Sequence, residues 1–254
     1  MVDNKEKAEK KGERVAKVIA NSGYCSRREA ERLIAGGFVQ INGVPIDTPA
    51  IMIIDQTIKI KNKLLPRNEK IKMWIFYKPK GFMVTNRDPH GRKTIYDILP
   101  TGLPRVIAVG RLDMDTEGLL LLTNNGSVAR YIEHPANGWT RQYRIKVHGS
   151  LDKLRANLDS LAKSGIVVDG IKYRPLKISI EKESETTNTW LLISLREGKN
   201  REVRNIMEHF GLRVTRLIRT SFGPFHIGAM SSGDLKSVAR KAMEGALGGR
   251  VSLS

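Results

Sequence analysis

Apolar residues recur at helical spacing in several stretches of the chain. Spacing of three or four residues between apolar positions gives a helix one face that can be buried. This spacing occupies residues 15–19, 151–161 and 203–210. A further helix is predicted to begin at Ser26, because Glu29 lies three residues later and completes a capping box. The glycine pair at residues 36–37 is predicted to end that helix.

Other stretches have the pattern of β-strands. Apolar and polar residues alternate from Arg141 to Val147, which places Tyr143 and Ile145 on the same face as Val147. Short apolar runs, consistent with buried strands, occupy residues 73–77, 106–109, 119–122 and 190–195. This order of elements predicts an α+β fold, in which helices and loops flank a mixed, mostly antiparallel β-sheet.

The same patterning divides the chain into domains. Residues 61–70 contain Pro66 and lack a periodic apolar pattern, so they are predicted to be a linker. Residues 1–11 are predicted to be a disordered, charged tail. The two folded domains are then predicted to be a small one over residues 12–60 and a larger one over residues 71–254.

The charge of the chain narrows the class of partner. Lysine and arginine total 44 against 26 acidic residues, which gives a formal net charge of +18 and favours a polyanion such as RNA. Apolar runs fall short of the roughly 20 residues of a membrane-spanning helix, and the charged first residues lack a signal segment. We therefore expect a cytoplasmic protein. One cysteine and scattered histidines predict neither a disulfide nor a metal site.

Candidate chemistry is concentrated in residues 110–117, here called the acidic loop. It contains Arg111 and three acids, Asp113, Asp115 and Glu117, between two apolar runs. Three interpretations compete: a solvated turn, a calcium loop, or a catalytic carboxylate beside a cation. The calcium loop is excluded, because its twelfth position is Asn124 and its flanks are predicted strands rather than helices.

A family resemblance decides between the two remaining interpretations. Gly110-Arg111-Leu112-Asp113, with Thr116, Gly118 and the leucine run to Thr123, resembles the catalytic motif of the RsuA/RluB/RluE/RluF group of ribosomal RNA pseudouridine synthases. The resemblance implies that Asp113 is the essential catalytic residue. It implies that Asp115 and Glu117 shape the loop.

Two further motifs of this family have counterparts in the chain. Tyr143 matches the tyrosine that stacks on the target base in the family, with Arg141 in place of the usual lysine. The segment at residues 198–204 resembles the third motif, in which a cation pairs with the catalytic aspartate and keeps it ionised. Lys199 is the first candidate for this cation and Arg201 the second. Asn-Arg-Glu-Val-Arg is most similar to the RluB type, which implies large-subunit (23S) ribosomal RNA as substrate.

Residues 12–60 resemble the S4 RNA-binding domain, a small α-L-type module. The resemblance rests on Ser-Arg-Arg-Glu-Ala and on Ile-Ala-Gly-Gly-Phe-Val-Gln-Ile-Asn-Gly. In the larger domain, Lys78-Pro79-Lys80-Gly81 resembles the family segment that lines the RNA cleft. The residues predicted to contact RNA are Arg14, Lys17, Ser26, Arg27, Arg28, Arg32, Lys78, Lys80, Arg92, Arg111 and Arg204.

These observations predict a monomeric enzyme that converts uridine to pseudouridine at a specific site in ribosomal RNA, through Asp113 and a flipped-out base. The reaction needs no cofactor, because uracil leaves through N1 and rejoins through C5 without redox change or hydrolysis. Two alternatives are kept. A non-catalytic S4-domain assembly factor would share the basic charge, and a carboxylate-dependent nucleosidase would need a second acid and a water.

Overall fold

The computed structural model describes residues 12–66, 69–182 and 188–251. These residues form two compact units that divide between Ile71 and Lys72. Each unit has its own apolar core, as separately folding domains do. The predicted charged tail, residues 1–11, lies outside the described residues.

The first unit packs two helices against short strands. Ser26 begins the second helix as predicted, since its hydroxyl accepts a hydrogen bond from the Glu29 N–H at 3.1 Å. The apolar faces of the two helices bury Val15, Ile19 and Ile34 completely. The elements are β1 (Glu13–Arg14), α1 (Val15–Asn21), α2 (Arg27–Ala35), β2 (Val39–Ile41), β3 (Val44–Ile46), β4 (Met52–Ile53), β5 (Ile58–Ile60) and β6 (Lys63–Leu64).

Two tight turns shape the sheet of the first unit, whose strand order is β3-β2-β5-β6. Asn42 and Gly43 both have positive φ, as a two-residue hairpin turn requires. Lys61 and Asn62 also have positive φ and return the chain so that β6 pairs with β5. The stretch predicted to be a linker, residues 61–70, therefore begins inside this unit.

A mixed β-sheet forms the centre of the second unit. Its strand order is β13-β14-β10-β15-β9-β7-β17, with β16 beside β15 and β8 beside β9. Among the described strands the β9–β15 pair is parallel and the other pairs are antiparallel, which confirms the predicted fold class. The strands are β7 (Met73–Lys78), β8 (Ile107–Val109), β9 (Glu117–Thr123), β10 (Arg141–His148), β11 (Ile166–Val168), β12 (Ile171–Tyr173), β13 (Lys177–Lys182), β14 (Asn188–Leu195), β15 (Arg213–Phe222), β16 (Phe225–His226) and β17 (Leu235–Ser237).

Helices pack on this sheet and bury its apolar positions. The leucine run 119–122 on β9 is wholly buried, as expected for a central strand. Val203, Ile206 and Met207 bury the predicted helix face against the same core. The helices are α3 (Gly126–Glu133), α4 (Asp152–Arg155), α5 (Leu158–Ser164), α6 (Glu202–His209) and α7 (Arg240–Leu247), with 3-10 turns at Ile95–Asp97 and Pro135–Asn137.

The helix predicted over residues 151–161 is interrupted in the structure. Two short helices, α4 and α5, replace it. The side chain of Asn157 donates a hydrogen bond to the Lys153 carbonyl at 2.8 Å, and such side-chain bonds to the backbone compete with continued helix. The apolar face is still buried, because Leu154 and Leu161 both reach the core.

Candidate active site

A turn between β7 and the following segment holds the acidic loop in place. The Lys78 ammonium donates hydrogen bonds to the carbonyls of Thr116 at 2.7 Å and Pro79 at 2.9 Å. The Gly81 N–H donates to the Met114 carbonyl at 2.7 Å. Because Lys78 is wholly buried, it cannot contact a phosphate, which corrects its predicted role in RNA binding. Its position instead makes the loop rigid.

Burial and the loop acids have opposite effects on the pKa of Lys78. Burial lowers the pKa of Lys78 to about 8, while the carboxylates of Asp115, Asp113 and Glu117 act in the opposite direction. The ammonium therefore remains mostly protonated at neutral pH. It supplies a fixed positive charge beneath three carboxylates.

Asp113 lies half-buried at the bend of the acidic loop. Its carbonyl accepts a hydrogen bond from the Thr116 N–H at 3.0 Å and closes a tight turn. The preceding residue, Leu112, is anchored in the main core. Lys78 and Arg204 both interact electrostatically with the Asp113 carboxylate. Asp113 is therefore partly exposed to solvent and lies in a positively charged environment.

The other two acids of the loop have defined partners. Asp115 lies 3.0 Å from the guanidinium of Arg204. Glu117 accepts two hydrogen bonds from Arg216, at 2.7 and 3.0 Å, and these bonds lower the pKa of Glu117 below its usual value. These contacts agree with a structural role for Asp115 and Glu117.

Arg204 is the cation that α6 directs at the acidic loop. Its guanidinium donates to the carbonyls of Val214 at 3.1 Å and Asp115 at 3.2 Å, in addition to the ion pair with the Asp115 carboxylate. Only 12% of the side chain is exposed. Sequence reasoning assigned Arg204 to RNA contact, whereas the structure places it between the loop and β15.

The two cations predicted to pair with Asp113 have other partners in the structure. Lys199 lies 3.2 Å from the Glu197 carboxylate, covers the Tyr173 ring at 5.3 Å and bonds to the Lys172 carbonyl. Arg201 approaches Asp115 at 3.8 Å from a left-handed backbone conformation. The side chain of Lys199 is thus directed toward β12, and Arg201 reaches the loop only at its exposed side.

Tyr143 lies on the buried face of β10, as the alternation predicts, with 9% of its surface exposed. It pairs with Ile193 on one side and with Arg219 on the other. Arg219 in turn pairs with Gly118 on β9, five positions after Asp113. The sheet therefore aligns Tyr143 with the strand that continues from the acidic loop.

Most of the remaining predicted RNA contacts lie at the surface of their own unit. Ser26 is occupied by its helix cap, and Lys17 pairs with Glu13. Arg92 pairs with Asp88 at 2.7 Å while remaining largely exposed. The exposed cations of the set are Arg14, Arg27, Arg28, Arg32, Lys80, Arg92 and Arg111.

Two acids missed by sequence reasoning lie beside Lys199. Glu197 and Glu202 are 9% and 4% exposed, and each carboxyl group affects the pKa of the other. Burial raises the pKa of Glu202 to about 7, and the charge of Glu197 acts in the same direction. The pKa of Glu197 is lowered despite its burial, because the Arg174 N–H and Lys199 stabilise its charge. Below pH 7 and above the lowered pKa of Glu197, the pair therefore holds about one proton.

We predict that Glu202→Gln makes the protein less sensitive to pH. The pKa of Glu202 is raised on folding, so its protonation stabilises the protein fully below about 4.5 and this contribution is lost as the pH rises through about 7. Glutamine keeps a donor for Glu197 without titrating. The variant should therefore gain about 1–3 kcal/mol relative to the unchanged protein between pH 5 and pH 8. Urea unfolding at both pH values measures this, and an equal difference at both would contradict it.

The described ranges hold neither a metal cluster nor a membrane span. Within residues 12–66, 69–182 and 188–251, no group of three histidine, cysteine or acidic side chains could hold a metal ion. No helix in those same ranges combines the length and apolar character needed to cross a membrane.

Comparison with known proteins identifies the class to which this fold and site belong. The family model for RNA pseudouridylate synthase matches residues 72–209, and the S4 domain model matches residues 13–53. A protein of Rickettsia felis named as an uncharacterized RNA pseudouridine synthase is 44% identical over 91% of this chain and 99% of its own length. The chain belongs to the RNA pseudouridine synthase family and carries an S4 domain.

Other relatives extend the comparison. The ribosomal large subunit pseudouridine synthase B of Pasteurella multocida is 38% identical over 84% of this chain and 62% of its own length. A crystal structure of a pseudouridylate synthase superposes with a TM-score of 0.63 and 24% identity, covering 91% of this chain and 98% of that chain. That likeness supports the fold. Together with the family match, these relatives confirm the predicted isomerase class.

Proposed function

We propose that this protein forms pseudouridine in ribosomal RNA of the large subunit, with Asp113 acting at the bond between uracil and ribose. The observation that carries the proposal is the setting of Asp113. Its carboxylate lies on a loop held by Lys78 and Gly81, is influenced by the charges of Lys78 and Arg204, and remains partly open to solvent. The large-subunit substrate is supported by relatives whose names specify it.

The chemistry requires a reactive carboxylate and no added group. Uracil is released from C1′ of the ribose at N1, turns, and forms a new bond from C5 to C1′. The hydrogen on C5 then leaves as a proton and N1 takes up a proton, so the product is an isomer of the substrate. The positive charges of Lys78 and Arg204 lie near the Asp113 carboxylate, which is the group that acts in this step. A rigid loop holds the carboxylate in position without further ordering when substrate binds.

Tyr143 is proposed to contact the target base. A flipped uracil needs an aromatic surface and a site from which water is largely excluded. Tyr143 has 9% of its surface exposed and lies beside the strand that follows the acidic loop. A narrow exposed portion of a buried ring is suited to stacking on a base that enters from solvent.

Arg204 is proposed as the cation that orients Asp113. Family resemblance assigned this part to Lys199 or, second, to Arg201. The contacts favour Arg204, because it is the least exposed of the three and is bonded to the acidic loop through both a carboxylate and a carbonyl of Asp115. Lys199 is proposed instead to hold the segment before α6, through Glu197 and Tyr173.

RNA is proposed to be held by exposed cations in both units, with the protein acting as a cytoplasmic monomer. The first unit presents Arg27, Arg28 and Arg32 on one short helix. Such clusters bind phosphates without reading sequence. The choice of uridine then depends on the second unit.

The S4 domain is expected to act as a separate binding arm. Removing residues 1–71 should leave a folded second unit, because each unit has its own core. RNA affinity should fall, and the salt dependence of binding should become shallower by roughly 0.9 or less for each phosphate that the protein no longer neutralises. Filter binding across a salt series measures both quantities. An unfolded truncation, or unchanged affinity and slope, would argue against a separate arm.

Mapping of pseudouridine across ribosomal RNA tests the function as a whole. Cells lacking this protein should lose a modification in large-subunit RNA, and the purified protein should restore it on unmodified RNA. An assembly factor would leave the modification pattern intact. A nucleosidase would release free uracil, which chromatography of the reaction detects.

A further inference from the structure

Arg219 is a buried cation near the proposed site to which no motif assigns a part. Its side chain lies on β15 and is 2% exposed. One nitrogen, Nε, donates to the Leu119 carbonyl at 2.7 Å, while Nη2 is buried and has no hydrogen-bond partner among the described residues. A buried guanidinium without full pairing costs free energy, and such exceptions concentrate at functional positions.

The residue directly opposite this cation in the β10–β15 pair is a tyrosine, Tyr143, rather than an acid. Burial lowers the pKa of Arg219, and Tyr143 acts in the opposite direction. The guanidinium also packs on the Phe222 ring at 5.1 Å, and Arg141 packs on the same ring at 4.5 Å. Arg219 is therefore held by a carbonyl and an aromatic ring, and Tyr143 is its cross-strand neighbour.

The backbone around Arg219 is irregular in a way that serves this contact. Gln142 pairs with Ser221 but Tyr143 pairs with Arg219, so Thr220 is an extra residue that forms a β-bulge. Bulges redirect side chains and are frequent beside active sites. On the other side of β15, Gly118 has φ of +103°, and a Cβ atom there would lie 2.4 Å from the Arg219 carbonyl oxygen. The strand of Tyr143 and the strand following Asp113 both meet at Arg219.

We propose that Arg219 is a positioning residue, which fixes the Tyr143 hydroxyl relative to the strand that carries Asp113. Arginine has donors and no acceptor, so in this proposed contact Arg219 donates a hydrogen bond and the phenol oxygen accepts it. The phenol hydrogen is then directed away from Arg219 and donates to an oxygen of the target nucleotide. This inference rests on the proposed place of Tyr143 at the target base and adds a part for its hydroxyl.

A double-mutant cycle tests the coupling between Arg219 and the hydroxyl. Arg219→Met should lower the single-turnover rate on a ribosomal RNA fragment by about 10- to 100-fold, the equivalent of one buried charge-assisted hydrogen bond, with RNA affinity nearly unchanged. In a Tyr143→Phe background the same substitution should change the rate little, because the hydroxyl is already absent. Arg219→Lys should retain more activity than Arg219→Met, since an ammonium also only donates.

Matched controls separate this inference from the proposed function. Arg213→Met, at an exposed position of the same strand, should leave the rate close to that of the unchanged protein. Tyr143→Leu removes the ring and tests stacking. If Tyr143→Leu is impaired while Tyr143→Phe is normal, the ring acts at the base but the part proposed for Arg219 is overturned. If Arg219→Met lowers the rate equally in the Tyr143 and Tyr143→Phe backgrounds, the part proposed for Arg219 is also overturned. If Arg219→Met does not fold, Arg219→Lys is compared in the two backgrounds instead, and equal losses have the same meaning.

Discussion

Asp113→Asn is expected to fold and bind RNA as the unchanged protein does, while pseudouridine formation falls by several orders of magnitude. Asparagine has nearly the same size as aspartate but lacks the anionic oxygen that a nucleophile needs. Removal of an essential nucleophile can cost on the order of a million-fold in rate. The assay is tritium release from ribosomal RNA labelled at uracil C5, because that hydrogen leaves only when the new carbon–carbon bond has formed.

The neighbouring acids provide controls for Asp113. Asp115→Asn and Glu117→Gln should fold and should retain much more activity than Asp113→Asn, because their carboxylates are engaged by Arg204 and Arg216. Near-normal tritium release from Asp113→Asn would show that Asp113 is not the catalytic residue. Equal damage in all three variants through misfolding would do the same, since the loop would then be structural throughout.

Arg204→Met should cause the second-largest loss. The Arg204 guanidinium makes two contacts with Asp115, whose side chain is 37% exposed. A hydrogen bond from a charged group contributes roughly 1.5–3 kcal/mol, and the lower value applies at this exposure, so the loss of both contacts should lower turnover by about 10²-fold if they orient the loop in the transition state. RNA affinity should change much less, because only 12% of the Arg204 side chain is exposed. Single-turnover rates and equilibrium binding, measured on the same RNA, separate the two effects.

Lys199→Met and Arg201→Met are the comparison variants for Arg204. Both remove a cation from the same motif without disturbing the Arg204–Asp115 contact. Each should be less impaired than Arg204→Met. If Lys199→Met or Arg201→Met is severely slowed while Arg204→Met turns over normally, the partner of Asp113 is the one that the motif resemblance indicated.

Sequence patterns were sufficient for the elements but not for every boundary. Local signals predicted the Ser26 helix cap and the end of that helix at residues 36–37, because both depend on residues a few positions apart. The second turn at Lys61 and Asn62 lacks glycine, so β6 was assigned to a linker. The strand β17 at Leu235–Ser237 pairs with β7, and this long-range contact has no local signal in the sequence.

The sequence indicated only some residues of the candidate site, and the other residues were missed for a common reason. Asp113 and Tyr143 stand in recognisable motifs, whereas the environments of Lys78, Arg204 and Arg219 depend on contacts far along the chain. Lys78 bonds to Thr116, which lies 38 positions away in the chain. Arg219 bonds to Leu119, which lies 100 positions away. Without knowledge of such a partner, a lysine or arginine in a sequence is expected to lie at the surface. Burial was therefore the missing information.

The central position of β15 has a consequence for when the enzyme becomes active. This strand lies between β10 and β9 although it follows both in the chain, and Arg219 is paired with Tyr143 on one side and Gly118 on the other. During synthesis on the ribosome, β9 and β10 emerge without the strand that joins them. Domains generally fold as units, and pairings between distant segments form late. The nascent chain therefore lacks an assembled site during most of its synthesis. Modification of RNA begins only after β15 has been synthesised and has paired with β9 and β10.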